Sequence, residues 1–404
     1  MKAGTPRLLR GINDRAALDL LLEHGPLTRV RIGELTGLSK PTASQLLARL
    51  EAAGLVVTSG STHGGPGPRA QLYAVNPDAA HVAGLDVTSA RIEAAVADIT
   101  GRMVGEFVLP TPRSAGLDAV AAVAHALDGA CTSAGIARRR LGHVTIGTPG
   151  AFDPRVRRLR YARHLPGWHA DDLLARLADE VRRPVDLHND VNLAAIAELT
   201  SGRARGAEDA MLLWADAGLG AALIIDGRLH TGASGGAGEV GFLPLPGADV
   251  RDVRRTDSGG FQELAGGPAV LALARSHGLR AGSPHAAVAA AVRQDHRALL
   301  TELAQRFALG IAAMVTIVDP AVVVLAGRVL VAGGEPLRDL VAEELERRTL
   351  TRTAIELTTV TDRPVLRGAL EVALAATRDR VFDTVAPPAT PEQTRDTTTT
   401  RRRP

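Results

Sequence analysis

Between Ser39 and Leu50 the sequence SKPTASQLLARL sets two kinds of residue at helical spacing. Ala43, Leu46, Leu47 and Leu50 recur as an apolar stripe, which leaves Lys40, Thr42, Ser44, Gln45 and Arg49 pointing outward. None of the outward residues is acidic. Cations, hydroxyls and a carboxamide on one short helix can hydrogen-bond to phosphates and to base edges in a DNA major groove. Nothing in the chain has the spacing of a Ser-His-Asp nucleophile or of a two-histidine metal motif. Cys131 is the one cysteine, so an internal disulfide framework and a multi-thiolate metal site are excluded. On its helix it reads as a small apolar residue.

The surrounding residues supply the elements such a face needs. Ile32 and Leu35 mark the buried side of a preceding helix, and Gly37 permits a sharp turn. Ser39 stands where an N-cap belongs and Pro41 in the first turn, where its missing N–H costs nothing. Gly54 ends the second helix. LVVTSG and AQLYAV then form a strand pair around the tip STHGGPGPR, a wing whose Arg69, with His63, reaches phosphates or the minor groove. The DNA-binding set is therefore Ser39, Lys40, Thr42, Ser44, Gln45, Arg49 and Arg69. A helical hairpin serving as a dimerisation cap is the plainer alternative. One module gives nonspecific affinity of only roughly 10⁻⁴–10⁻⁶ M, so a homodimer on a near-palindromic operator is expected.

With 404 residues and 45% apolar content the chain can bury two or three domains. No apolar run approaches ~18 residues, and no secretion signal follows the basic start, so a cytoplasmic protein with no membrane partner is expected. Residues 1–76 hold nine Lys/Arg against five Asp/Glu, a local +4 in a chain of net charge +3, which hints at a polyanion partner. Residues 80–380 alternate strands and helices as an α/β body. Strands are expected at His81–Val87, Arg91–Asp98 and Arg102–Leu109, a helix over Leu117–Ala134, and a strand at 143–147. A helix should begin near Asp190, Asp226-Gly227 should turn a hairpin, and strands should recur at 321–327 and 353–360. The order recurs only approximately and does not by itself establish a repeat. Residues 381–404, Pro/Thr-rich and with Arg401, Arg402 and Arg403 before the last proline, read as a disordered tail with a solvated basic end.

The helix-turn-helix followed by GLDVTSARI, IGTPGAFDP, LPGW, HNDVNLAAIAE and GASGGAGEVGFLPL resembles the ROK family (repressor, open reading frame, kinase), over residues 10 to 380 or so. The resemblance implies an actin-like, ribonuclease-H-like two-lobed α/β body behind an all-α/winged helix-turn-helix domain, with sugar and nucleotide sites in the cleft. The family holds both kinases and sugar-responsive regulators. Its kinases hold ATP phosphates in loops that need glycine. The first, Asp-x-Gly-Gly-Thr, is here Asp86-Val87-Thr88-Ser89-Ala90. The second, Gly-Thr-Gly-x-Gly, is Asp216-Ala217-Gly218-Leu219-Gly220. The third is Ala326-Gly327-Arg328. Asp216 would set a carboxylate against the phosphates, which at ~4 Å and an effective dielectric of ~20 costs about 4 kcal/mol.

The family's sugar site implies Asp190 as a vestigial general base, Asn189 as its hydroxyl-binding neighbour, and Glu239 and Glu263 as sugar-binding glutamates. His164 stands where the family has an asparagine, and Phe242 replaces its histidine. Asp190 as a plain cap of a helix beginning at Val191, with Glu239 a loop residue, is the competing reading. Arg254, Thr256 and Phe261 stand at the three zinc cysteines, so neither zinc nor any other cofactor is expected. Trp168 should pack between the lobes, and His188 reads as a core histidine. The expectation is a non-enzymatic transcription regulator, a repressor, binding operator DNA and a sugar or sugar derivative. The alternatives are an ATP-dependent sugar kinase with an appended DNA-binding domain, and a regulator whose body only dimerises.

Overall fold

In the computed structural model the described residues are 6–61, 70–111, 118–153, 155, 158–160, 165, 167–168, 170, 172–248 and 259–383. They fall into two compact units, 1–79 with 376–404 and 80–375. The wing tip with His63 and Arg69, the loop with His164, the stretch with Arg254 and Thr256, and residues 384–404 with the terminal arginines lie outside the described residues.

The first unit opens with α1 (Pro6–His24), β1 (Leu27–Thr28), α2 (Arg29–Thr36) and α3 (Lys40–Ala52), followed by β2 (Val56–Ser61) and β3 (Gln71–Val75). Thr28 caps α2 by accepting the Arg31 N–H, and Gly37 closes it in the left-handed region at φ 70°. Ala43, Leu46, Leu47 and Leu50 of α3 are buried as their spacing predicts, as is Ile32, but Leu35 stays exposed. The sheet has the order β1-β3-β2, one strand more than the sequence suggests.

The second unit carries two sheets of like design. β4 (His81–Val87), β5 (Arg91–Asp98) and β6 (Met103–Pro110) form an antiparallel meander. After α4 (Ala119–Ser133), β7 (Leu141–Thr148) pairs parallel to β4. The short hairpin β8 (Ala151–Asp153) and β9 (Arg158–Arg160) and helix α5 (Leu173–Val181) lead to β10 (Val185–Asn189), parallel to β7, and α6 (Asp190–Ser201). The second sheet repeats the plan. β11 (Ala210–Ala215), β12 (Leu219–Ile225) and β13 (Arg228–His230) are antiparallel, with Asp226 and Gly227 both at positive φ in the turn. Four helices follow that no motif announced: α7 (Phe261–Ala265), α8 (Gly267–Ser276), α9 (Pro284–Arg293) and α10 (Arg297–Val318). Next come β14 (Val322–Ala326), α11 (Arg328–Glu346), β15 (Ala354–Leu357) and α12 (Pro364–Asp383). The strand orders β6-β5-β4-β7-β10 and β13-β12-β11-β14-β15 correspond strand for strand. The approximate recurrence in the sequence is a duplicated topology.

Three details differ from expectation. Trp168 is buried within the core of the first sheet, in one cluster with Val144, Leu173 and Leu177, rather than between lobes. Helix α10 is long and apolar enough to cross a membrane, but its apolar residues line the second core, around Phe307 and Ile311. Residues 381–383 are helical rather than tail. The last turns of α12 group with the N-terminal unit, where Arg15 pairs with Asp379 at 2.9 Å and lies 5.3 Å from the centre of the buried Phe382 ring. Burial of the apolar Phe382 carries the helix to Asp383, next to the first threonine of the Pro/Thr-rich stretch.

Helices α6 and α12 cross in backbone contact. A Cβ on Gly368 would stand 1.9 Å from the Leu193 carbonyl oxygen. Beyond the crossing, the buried Glu198 carboxylate of α6 accepts the Arg203 and Val360 N–H groups at 2.7 and 3.1 Å and the Thr358 hydroxyl. Gly368→Ala should therefore lower stability by about 2 kcal/mol through overpacking. A chemical-denaturation midpoint equal to that of the parent would contradict the crossing.

Candidate DNA-recognition face and effector site

On α3 the Ser39 hydroxyl caps the helix, accepting the Thr42 N–H at 3.5 Å and lying 2.8 Å from the Thr42 hydroxyl. Ser44 donates to the Lys40 carbonyl at 2.9 Å. These contacts shape the helix N-terminus and leave Lys40, Thr42 and Gln45 exposed on the outward side. Arg49 is a correction. Its guanidinium turns back to the Asp14 carboxylate of α1 at 2.6 Å, and Asp14 is buried. A buried carboxylate holds the nearest cation, so Arg49 ties α3 to α1 while its side chain stays partly exposed. Motif reading also passed over Arg29, exposed in the first turn of α2, and Ala48, exposed one turn beyond Gln45. The first can meet a phosphate and the second a thymine methyl. The cap at Thr28 was the signal for the former.

In the body, Asp86 closes β4 and Asp190 opens α6 after β10, so both stand at the C-terminal ends of parallel strands of one sheet. Asp190 is pushed up to about 7, first by burial, then by the charge of Asp86 and, more weakly, of Glu239. Asp86 is pushed up to about 6 by burial and by Glu93, its cross-strand partner, with Arg91 opposing. Burial also raises Glu239. Asp190 thus feels the charge of both Asp86 and Glu239, which makes the three one electrostatically linked group of carboxylates.

The helix cap is Asn189, not Asp190. Asn189 accepts the Asn192 N–H at 3.0 Å and donates to the Gly150 carbonyl at 3.1 Å, so it holds the loop as well as the helix. Asp190 accepts the adjacent Val191 N–H at 2.9 Å. Glu263 is half-buried on α7. Burial lowers His188, and Cys131 is buried with its thiol raised to about 11.

In the loops that the family resemblance sets beside the kinase phosphate cradles, several amides have partners inside the fold. The Thr88 hydroxyl accepts the Ala90 and Arg91 N–H groups at 3.3 and 3.1 Å. The Gln262 carboxamide accepts the Leu219 N–H at 2.8 Å and donates to the Ala217 carbonyl at 3.2 Å. The Asp216 N–H bonds to the Gly218 carbonyl at 3.0 Å. Arg328 pairs with Asp216 at 2.7 Å, so two departures from the family pattern meet each other. The lone-carboxylate repulsion expected at Asp216 is compensated there. Among the described residues, no group of three or more His, Cys, Asp or Glu side chains is arranged to hold a metal.

Residues 82–376 match the ROK family and residues 13–65 the MarR family. The chain belongs to the ROK family. It is 24% identical to the xylose repressor of Caldicellulosiruptor bescii over 92% of this chain and 98% of that one. A ROK hexokinase from Thermus thermophilus, 29% identical, superposes with a TM-score of 0.63 over 74% of this chain and 99% of that one. A ROK transcriptional regulator, described as a homologue of the Escherichia coli MLC protein, is 15% identical. It superposes with a TM-score of 0.74 over 94% of this chain and 99% of that one, which shows the shared fold.

Proposed function

We propose that the protein is a sugar-responsive, DNA-binding repressor. One observation carries the reading: a capped recognition helix of the MarR-type winged domain shares a chain with a ROK body whose phosphate loops hydrogen-bond to themselves. Xylose and other ROK repressors among its relatives support it. An apo loop with free N–H groups can receive a triphosphate, whereas these amides would first have to lose their present partners. The carboxylate cluster keeps acceptors for sugar hydroxyls, and the site works without ATP or zinc. DNA binding runs through Lys40, Thr42, Gln45 and Arg29, with Arg69 from the wing, in a homodimer.

Fluorescence anisotropy with the duplex upstream of the chain's own gene tests this over a pentose and hexose panel. One sugar should weaken DNA binding by about 5–150-fold, the usual span of ligand coupling. ATP-dependent sugar phosphorylation that Asp190→Asn abolishes would instead identify a kinase. Lys40→Ala should weaken binding to every duplex and lower the slope of log affinity against log salt by about one. An unchanged slope would remove Lys40 from the phosphate contacts.

A further inference from the structure

The body carries a cationic cavity at the end of the first sheet away from Asp86 and Asp190. It is a half-open cleft of about 450 Å³, within the size range of small-ligand sites, and is lined by Arg138, Arg139, Arg182 and Arg183 together with Asp179 and Glu180. Arg138 and Arg139 precede β7, Asp179 and Glu180 lie in the last turn of α5, and Arg182 and Arg183 lead from it to β10, so the lining flanks the starts of β7 and β10, whereas Asp190 follows the end of β10. The run from Arg183 to Asp190 spans roughly 20 Å of extended chain.

Arg138 builds the wall. It bonds to both Asp128 oxygens on α4, and to the Glu180 carbonyl at 3.0 Å and carboxylate at 3.5 Å, tying α4 to the end of α5. The other three arginines have no ion pair among the described residues, and the Nε of Arg183 is buried without a hydrogen-bond partner. Arg182 ends α5 at φ 55°, a left-handed position where glycine is the easier residue. Four guanidiniums against Asp179, Glu180 and the Asp128 that holds Arg138 leave an excess of one positive charge, carried by arginines without an acidic partner.

We infer that this cavity binds a small molecule carrying two phosphate groups, the dianionic pair that unpaired guanidinium forks recognise bidentately. The inference is independent of the effector reading, because it involves neither Asp190 nor α3. Calorimetric titration of the full chain at low salt, with inorganic pyrophosphate and with a hexose bisphosphate, tests it.

At least one anion should bind with a dissociation constant of about 1 mM or tighter. The variant Arg139→Ala/Arg182→Gly should weaken that binding at least tenfold, and Asp190→Asn should leave it unchanged. Arg182→Gly relieves the left-handed backbone, so this variant folds. No heat with either anion, equal affinity in the arginine variant, or loss in Asp190→Asn would each overturn the assignment. So would an arginine variant that weakens only duplex DNA binding.

Discussion

Replacing Asp190 by asparagine should stabilise the protein at pH 8 while abolishing its response to sugar. Asp190 titrates near 7 in the fold against an ordinary carboxylate value of 3.8, because burial and the Asp86 charge disfavour the anion. An acid raised in this way binds more protons folded than unfolded between those limits. Stability therefore falls as pH rises from about 4 to about 7. At pH 8 the penalty is fully present, and its removal should gain on the order of 2–4 kcal/mol. Asp86, raised to about 6, adds a smaller slope in the lower part of the same window. Thermal denaturation of parent and variant at pH 4.5 and 8 checks this. The two should converge at the acid end and separate at pH 8. Parallel curves would mean that Asp190 is not held near neutrality.

Arg49→Ala should fail differently, by loosening the N-terminal unit. Asp14 is buried, and its partner's guanidinium remains more than a third exposed. The cost lies between that of an exposed pair and that of a fully buried one, about 2–3 kcal/mol. Removing Asp14 as well, in Arg49→Ala/Asp14→Ala, should recover much of the loss, because the stranded carboxylate and not the missing guanidinium carries it. DNA binding should follow the melting curve and recover in the double variant. Full stability with lost DNA affinity in Arg49→Ala alone would return Arg49 to the DNA contacts.

Much of this architecture is written locally. β4 and β5 fall at their expected positions as short runs buried almost throughout, and α3 has the cap and buried stripe that its spacing requires. Asp86 and Asp190 were visible through motifs, since each lies at a strand end with its neighbours in sequence. What escaped depends on partners distant in the chain. Arg49 meets an acid from α1, Trp168 packs where only the assembled sheet leaves room, and Arg328 meets Asp216 across two strands. Helices α8 to α10 carry no short motif, and their apolar positions make sense only against the second sheet. Gln262, which holds the loop at 217–219, lies inside the stretch compared with a zinc motif.

The self-bonded loops bear on any attempt to retrofit phosphoryl transfer onto this scaffold. Reinstating glycines at Thr88 and Ser89 would widen the first loop without freeing an anion receptor while Gln262 still clasps the second loop and the Arg328–Asp216 clamp spans it. Gln262 and the clamp would have to change together with the glycines before any single exchange produced a measurable gain. The passage from sensor to catalyst is thus a coordinated rewiring and not a reversal by individual steps.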